Sequence, residues 1–251
     1  MKVLISGKGG SGKSTLAALL TRALQARGNR VLLVDADESN LGVQRLVGID
    51  KQAPLMDRLG GKQAFKQTMS QVFPQGPQHP VFKAKTIDQL PDDCVTAIDG
   101  IRLLVIGKIQ RFGEGCACSM GALSKTVLGN LRLNPGEVVI VDTEAGVEHF
   151  GRRVDGECDA VVGVVDPTYE SFQLAGQMQA MALQAGVAIG FVLNKTTPQI
   201  EAEMRRHLAA ENIVASIAHQ DALFLDSLQG RPLSITVPAV DQICNWIEDL
   251  P

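Results

Sequence analysis

Aromatic residues are scarce in this chain, with one Trp, one Tyr and eight Phe making 4% of 251 residues. That scarcity argues against the stacking platforms on which proteins hold single-stranded nucleic acid. An excess of one charge is also missing. With 24 Lys+Arg against 27 Asp+Glu the formal net charge is −3, so composition supplies no basic face for nucleic acid or anionic lipid. No long hydrophobic run is present. The longest uncharged stretch, Ser171 to Asn194, is interrupted by Gln173, Gln177, Gln179 and Gln184, whose amides would stay unsatisfied in lipid. Before Gly7 only Val3, Leu4 and Ile5 form an apolar run, too short for the core of a signal peptide. The five cysteines are odd in number and irregularly spaced, which fits a reducing cytoplasm better than a disulfide framework. What remains is a cytoplasmic, globular chain, 45% hydrophobic and 20% charged, long enough to bury a substantial core.

Short apolar runs alternate with longer helical patterns. Val3–Ile5, Val31–Val34, Ile101–Ile106, Val138–Val141, Ala160–Val165, Val187–Leu193 and Ile213–Ile217 read as strands. Several are apolar throughout, as parallel strands covered on both faces are. Ser14–Arg27, Ser119–Leu131, Ser171–Leu183, Glu201–Ala210 and Val240–Leu250 read as helices. The alternation predicts a single α/β domain over residues 1–251, doubly wound, with a mostly parallel sheet flanked by helices. Residues 50–100 break the rhythm. They contain no convincing strand and are punctuated by Pro74, Pro77, Pro80 and Pro91, which predicts an insertion of short helices and loops.

Gly7-Lys8-Gly9-Gly10-Ser11-Gly12-Lys13-Ser14 fits G-x-x-x-x-G-K-[ST], and it follows a predicted strand and opens a predicted helix. Glycines let successive backbone N–H groups of Gly9, Gly10, Ser11 and Gly12 turn inward, and the helix adds its positive end. Lys13 is then placed to neutralise the β- and γ-phosphates, Ser14 to ligate Mg²⁺, and Thr15 to contact the α-phosphate. A P-loop NTPase reading follows, with ATP or ADP as the ligand class. Lys8 is a second lysine in the loop, either a solvated loop charge or something more specific. The run Lys-Gly-Gly-Ser-Gly-Lys-Ser resembles the deviant Walker A loop of the SIMIBI class ATPases. That resemblance implies that Lys8 reaches across a homodimer to the partner's nucleotide, so that ATP joins two subunits and hydrolysis releases them.

Asp35 and Asp37 end the second strand, two residues apart and therefore on one face, towards the edge where ligands bind. Asp37 is the candidate for positioning the attacking water, and Asp35 for supporting the Mg²⁺ shell or Lys13. A capping or turn aspartate is the alternative for each. Asp142 closes the apolar run Val138–Val141, the usual place of the Mg²⁺-side aspartate. Asp142-Thr143-Glu144-Ala145-Gly146 resembles the D-x-x-x-G switch, in which the glycine N–H contacts the γ-phosphate. Asn194-Lys195 follows another apolar strand. In related ATPases that asparagine reads adenine and the turn at Val237-Pro238-Ala239 closes over the base, while a helix cap is the other reading of Asn194. Thr197 stands where guanine-specific relatives carry Asp, so adenine is favoured.

Cys116-Ala117-Cys118 lies in a glycine-flanked loop. Two thiolates so spaced can hold one soft ion, and Zn²⁺ needs four ligands, which a twofold dimer could complete; inert thiols are the alternative. The run Glu144-Ala145-Gly146-Val147-Glu148-His149-Phe150-Gly151-Arg152 resembles E-A-G-x-E-H-x-G-R of the CooC-type ATPases, accessory proteins that insert nickel into carbon monoxide dehydrogenase. Those proteins also carry C-x-C between the central strand and a helix. The resemblance spans nearly the whole chain. It implies a homodimer holding Zn²⁺ or Ni²⁺ through Cys116 and Cys118, and the dehydrogenase catalytic subunit as partner, with no nucleic acid and no membrane. Two departures stand out: the loop after Asp37 lacks the usual proline and is one residue short, and Gly151-Arg152-Arg153 replaces Gly-Arg-Gly. Cys94, Cys158 and Cys244 read as partly buried thiols. His149 is either a relay between the two sites or a helix-start histidine.

Two other classes compete. A positioning ATPase of the division or plasmid-partition kind predicts a basic amphipathic C-terminal helix or a basic DNA patch; the segment Asp241–Leu250 contains no Lys or Arg, so the membrane form of that reading fails. An electron-transfer ATPase of the nitrogenase iron-protein kind predicts two widely separated cluster cysteines per subunit, for which Cys94 or Cys158 would have to serve.

Overall fold

The computed structural model describes residues 1–39, 42–50, 52–72, 86–109, 118–146 and 155–251. Eight strands form one sheet: β1 (Lys2–Gly7), β2 (Arg30–Asp35), β3 (Val95–Ile98), β4 (Ile101–Val105), β5 (Glu137–Asp142), β6 (Ala160–Val165), β7 (Ala188–Thr196) and β8 (Ile213–Ala218). Their order is β3-β4-β2-β5-β1-β6-β7-β8, parallel throughout except for the antiparallel edge pair β3–β4. The doubly wound, mostly parallel sheet expected from the apolar runs is therefore present. β1, β5 and β6 are covered on both faces, which is why their residues are almost all apolar and buried.

The helices are α1 (Lys13–Ala26), α2 (Val43–Leu46), α3 (Leu55–Arg58), α4 (Gly61–Val72), α5 (Cys118–Asn130), α6 (Tyr169–Ala185), α7 (Pro198–Met204), α8 (Asp221–Leu228) and α9 (Ala239–Glu248). One face of the sheet carries α1 and α9, with Leu16, Leu20 and Leu24 of α1 beside Val240, Ile243 and Ile247 of α9. The other face carries α3, α4, α5 and α6 around Phe65, Leu123, Val127 and Met178. The apolar stripe of α9 recurs at i, i+3, i+4 and i+7 and turns onto the sheet. Arg27, just past α1, fastens the two helices by pairing with Asp241 and Glu248.

Three sequence expectations need correction. Residues 95–98 are a strand, although no convincing strand was expected between 50 and 100. The signal is the turn rather than the strand: Asp99 (φ 48°) and Gly100 (φ 80°) both take the left-handed region that a two-residue hairpin demands. Val95–Ile98 is only four residues long at a sheet edge and shows no alternation to read. The helix expected over Glu201–Ala210 instead starts at Pro198, whose fixed φ suits the first helical position, under a Thr197 side-chain cap on Ile200 N. It ends at Met204, where the backbone bonds tighten to i−3 at Arg206 and His207, Leu208 turns onto the core, and the His207 ring stacks on Phe172 with centroids 4.6 Å apart. Finally, α8 went unread because its only buried side chain is Asp226, so no apolar stripe marks it.

Among the described residues no helix is long and apolar enough to cross a membrane. Cys94, Cys158 and Cys244 are buried with reduced thiols, and burial pushes the Cys244 thiol up to about 11. Titration of the native chain with a thiol reagent at pH 8 should therefore count at most two reactive groups, rising to five in denaturant; a third fast thiol in the folded protein would contradict the buried placement of these three.

Candidate functional site

The site is built at the carboxyl edge of β1, β2 and β5, where the strand order reverses on either side of β1. β1 ends at Gly7, whose φ of 152° lies outside the range that side chains tolerate, and an added Cβ there would stand 2.4 Å from the Val164 carbonyl oxygen. Gly10 and Gly12 also take positive φ, 78° and 102°. The loop thus curls through conformations open to glycine and delivers Gly12 into the first turn of α1, where Leu16 N donates to its carbonyl at 2.9 Å. A nucleotide-sized cavity of about 810 Å³ opens over this loop, lined by Gly9, Gly10, Gly12, Lys13, Ser14 and Thr15 and, further out, by Asp37, Ala145, Asn194 and Lys195.

Charge in the site is concentrated and buried. Lys13 Nζ donates to the Lys8 carbonyl at 3.1 Å; burial lowers its pKa, opposed by the carboxylates of Asp142, Asp37, Glu144 and Asp166. Asp142 is fully buried, and neither carboxylate oxygen has a partner at hydrogen-bonding geometry. Burial above all pushes its pKa up to about 7, aided by Asp35 and Asp37 and opposed by the nearby Ser14 hydroxyl and Lys13. Asp35 faces Asp142 across the β2–β5 ladder and rises to about 6, chiefly through burial. A fully buried carboxylate beside the Ser14 hydroxyl is a donor set that a hard divalent cation takes, so these residues fit Mg²⁺.

Several expected residues stand where they were sought, but with partners the sequence did not reveal. The Asp35 carboxylate pairs with Lys108 at 2.7 Å, rather than with Lys13. Asp37 lines the cavity, and its Oδ1 accepts from Ser39 N (2.9 Å) and Ser39 Oγ (2.7 Å). Lys8 lies within its own chain's reach: Nζ donates to Thr168 Oγ1 at 3.0 Å and stands 3.8 Å from Glu170. Gly146 N donates to the Gly7 carbonyl at 3.1 Å, which sets the start of the switch segment directly on the phosphate loop. Asn194 Nδ2 donates to the Ser11 carbonyl at 2.7 Å and Lys195 Nζ to the Gly10 carbonyl at 2.6 Å, so both brace the loop from β7.

Pro238 is not among the cavity-lining residues. It stands at the start of α9, next to the buried Val237. The far wall comes instead from the β8–α8 segment, where His219, Gln220, Leu223 and Phe224 line the cavity. None of these four belongs to a motif legible in the sequence; the position of His219 just past the carboxyl end of β8 is the signal that points to it. Cys116 and His149 lie outside the described residues, as do Glu148 and Arg152, and of Cys118 the fold gives only the place, the first residue of α5. Among the described residues no group of three or more His, Cys, Asp or Glu could hold a metal ion.

A phosphate cradle at the end of a parallel strand, with carboxylates at the ends of the next two strands, defines a P-loop nucleotide-binding protein. The sequence matches the CobQ/CobB/MinD/ParA nucleotide binding domain over residues 2–233, and the chain belongs to that family. It is 37% identical to an uncharacterized ATP-binding protein of Methanocaldococcus jannaschii, over 97% of this chain and 98% of that one. It is 33% identical to the carbon monoxide dehydrogenase accessory protein CooC of Rhodospirillum rubrum, over 80% of this chain and 76% of that one. In fold it is similar to the septum site-determining protein MinD of Pyrococcus horikoshii in complex with Mg-ADP, with TM-score 0.68, 18% identity and coverage of 99% and 96%.

Removing the cradle lysine tests the site directly. Lys13→Met should weaken binding of ATP at least 100-fold in isothermal titration, because the two other lysines at the loop, Lys8 and Lys195, are engaged with Thr168 and with the Gly10 carbonyl. Affinity within tenfold of the wild type would place the phosphates elsewhere.

Proposed function

We propose that the protein is an ATP-hydrolysing maturation factor that dimerises around a soft metal ion, nickel or zinc, held by Cys116 and Cys118, and assists its insertion into a carbon monoxide dehydrogenase. The observation that carries the reading is a physical link between the hydrolytic loop and the segment leading to the cysteines. Past β4 the chain runs alongside residues 35–39: Ile106 N donates to the Asp35 carbonyl (2.9 Å), Ile109 N to the Glu38 carbonyl (3.0 Å), and the Lys108 side chain bonds Asp35 and Asp37. In the sequence that same segment leads on to Cys116-Ala117-Cys118. Movement of the Asp37 loop with nucleotide state therefore acts on the segment that leads to the cysteines. The similarity to CooC supports the choice of cargo.

In this reading the loop N–H groups bind the phosphates, Lys13 leaves the Lys8 carbonyl to neutralise them, and Asp37 orients the attacking water. Mg²⁺, when bound, screens the phosphate charge beside Ser14 and Asp142. Gly146 exchanges the Gly7 carbonyl for the terminal phosphate. Leu223 and Phe224 supply an apolar wall for the base. Turnover is slow, because the output is a change of conformation rather than a released product.

Metal per chain and native mass decide the matter, measured with and without ADP or ATP for the wild type and the Cys116→Ser/Cys118→Ser variant. The expected result is about one metal per two chains in the wild type, none in the variant, and a dimer population that ATP changes. If neither protein binds metal and both dimerise equally with ATP, a positioning ATPase becomes the better reading.

A further inference from the structure

Lys108 belongs to none of the motifs read in the sequence, yet it is the cation most deeply engaged with the hydrolytic carboxylates. Its side chain is 6% exposed. Nζ lies 2.9 Å from Asp35 Oδ1 and 2.7 Å from Oδ2, and it also donates to the Asp37 carbonyl. Asp37 is thereby held at both ends of its backbone: Asp37 N donates to Asp35 Oδ1 at 3.2 Å, and its carbonyl is taken by Lys108. Its side chain is turned by Ser39, which occupies Oδ1. A residue that must aim a carboxylate at a water needs such fixing, since a misplacement of about 1 Å can reduce a rate on the order of 100-fold.

A counter-ion for Asp35 alone would explain burial of the ammonium but not the bond to the Asp37 carbonyl. Two neighbouring facts point to positioning. The next residue, Ile109, also bonds this loop, through the Glu38 carbonyl, so residues 106–109 follow the backbone of residues 35–38. And a glycine precedes Lys108: a Cβ on Gly107 would stand 3.0 Å from the Met120 sulfur, so the Met120 side chain of α5 packs closely behind the segment.

We propose that Lys108 is a positioning residue for ATP hydrolysis, acting through Asp37, whose carbonyl it grips and whose carboxylate it thereby aims into the cavity. This rests on the reading of the protein as an ATPase. The test is a double-mutant cycle with Lys108→Met and Asp35→Asn, reading kcat, KM for ATP and, without nucleotide, amide hydrogen exchange at Ser39 and Ile109. Asp35→Asn removes the charge that Lys108→Met would otherwise leave buried and unpaired, so the second substitution is judged in a background that tolerates it.

Lys108→Met in the Asp35→Asn background should still lower kcat about 30- to 100-fold with KM changed less than threefold, and exchange at Ser39 and Ile109 should accelerate at least tenfold. If the second substitution changes neither kcat nor exchange, Lys108 is only the counter-ion of Asp35 and the proposal falls. A double variant that does not fold assigns Lys108 to stability and overturns it equally. A wild type that hydrolyses no ATP removes the functional reading instead. Amide exchange then decides the inference by itself, unchanged protection at both positions being the overturning result.

Discussion

Asp142→Asn should make the nucleotide-free protein more stable and at the same time reduce ATP hydrolysis at least 100-fold. The two effects share one cause. Asp142 ends β5 with its carboxylate fully buried, both oxygens without a partner at hydrogen-bonding geometry, and Asp35 opposite it on β2. Burial pushes its pKa from 3.8 up to about 7. A carboxyl whose folded-state pKa is raised binds more protons in the native state than in the unfolded chain between those two values. Stability therefore falls as pH rises from about 4 to about 7, and the loss stays constant above that range. Three pKa units correspond to about 4 kcal/mol, and even half of that recovered by the neutral amide would raise the melting temperature of a 251-residue chain by about 5 °C.

The gain should be present at pH 8 in a chelator and vanish near pH 4, where both forms are neutral. Thermal scans across that range check it, and a variant no more stable than the wild type at pH 8 would show that the native carboxylate is not under this strain. In the proposed function hydrolysis falls because the same carboxylate, beside Ser14, is the hard anionic group that would face Mg²⁺.

Gly7→Ala should lower the melting temperature by about 10 °C or more and abolish ATP binding. Gly7 combines a positive φ with a close approach to backbone: its added Cβ would meet the Val164 carbonyl oxygen at 2.4 Å and Ser11 Oγ at 3.0 Å. Val164 closes the β1–β6 ladder opposite Gly7 and also pairs with Val192 of β7, so its carbonyl cannot rotate away without disturbing the sheet. The Gly7 carbonyl also accepts Gly146 N, so the strand end, the phosphate loop and the switch segment would shift together. Gly136→Ala is the control, since Gly136 has φ 77° and nothing within 4 Å of an added Cβ. Its cost is conformational alone, about 1–2 kcal/mol. Circular dichroism melts of the two variants separate backbone preference from steric collision, and equal losses would mean that the β1–β6 contact yields.

The parts of the site legible in the sequence were those whose chemistry is local. A loop that cups phosphates needs glycines, a lysine and a hydroxyl at fixed spacing between a strand and a helix, and Gly7–Thr15 meets that requirement without reference to the rest of the chain. Strands buried on both faces must be apolar along their length, which is why β1, β5 and β6 were readable and why Asp142, a charge ending such a run, stood out. The turn at Asp99-Gly100 was equally local and was passed over only because the strand before it is too short to show a period.

What tertiary structure decided were the partners of those residues. Which lysine neutralises Asp35 depends on β4 lying beside β2, an adjacency that brings residue 108 to residue 35. The wall opposite the phosphate loop depends on β8 lying beyond β7, so that Leu223 and Phe224 rather than Pro238 face the cavity. Lys8 meets Thr168 because β6 flanks β1. Short-range sterics fix how a backbone turns and which side chains it can carry. Strand order, which comes from burying two apolar faces at once, fixes which distant charges and surfaces meet, and no spacing in the sequence encodes that order.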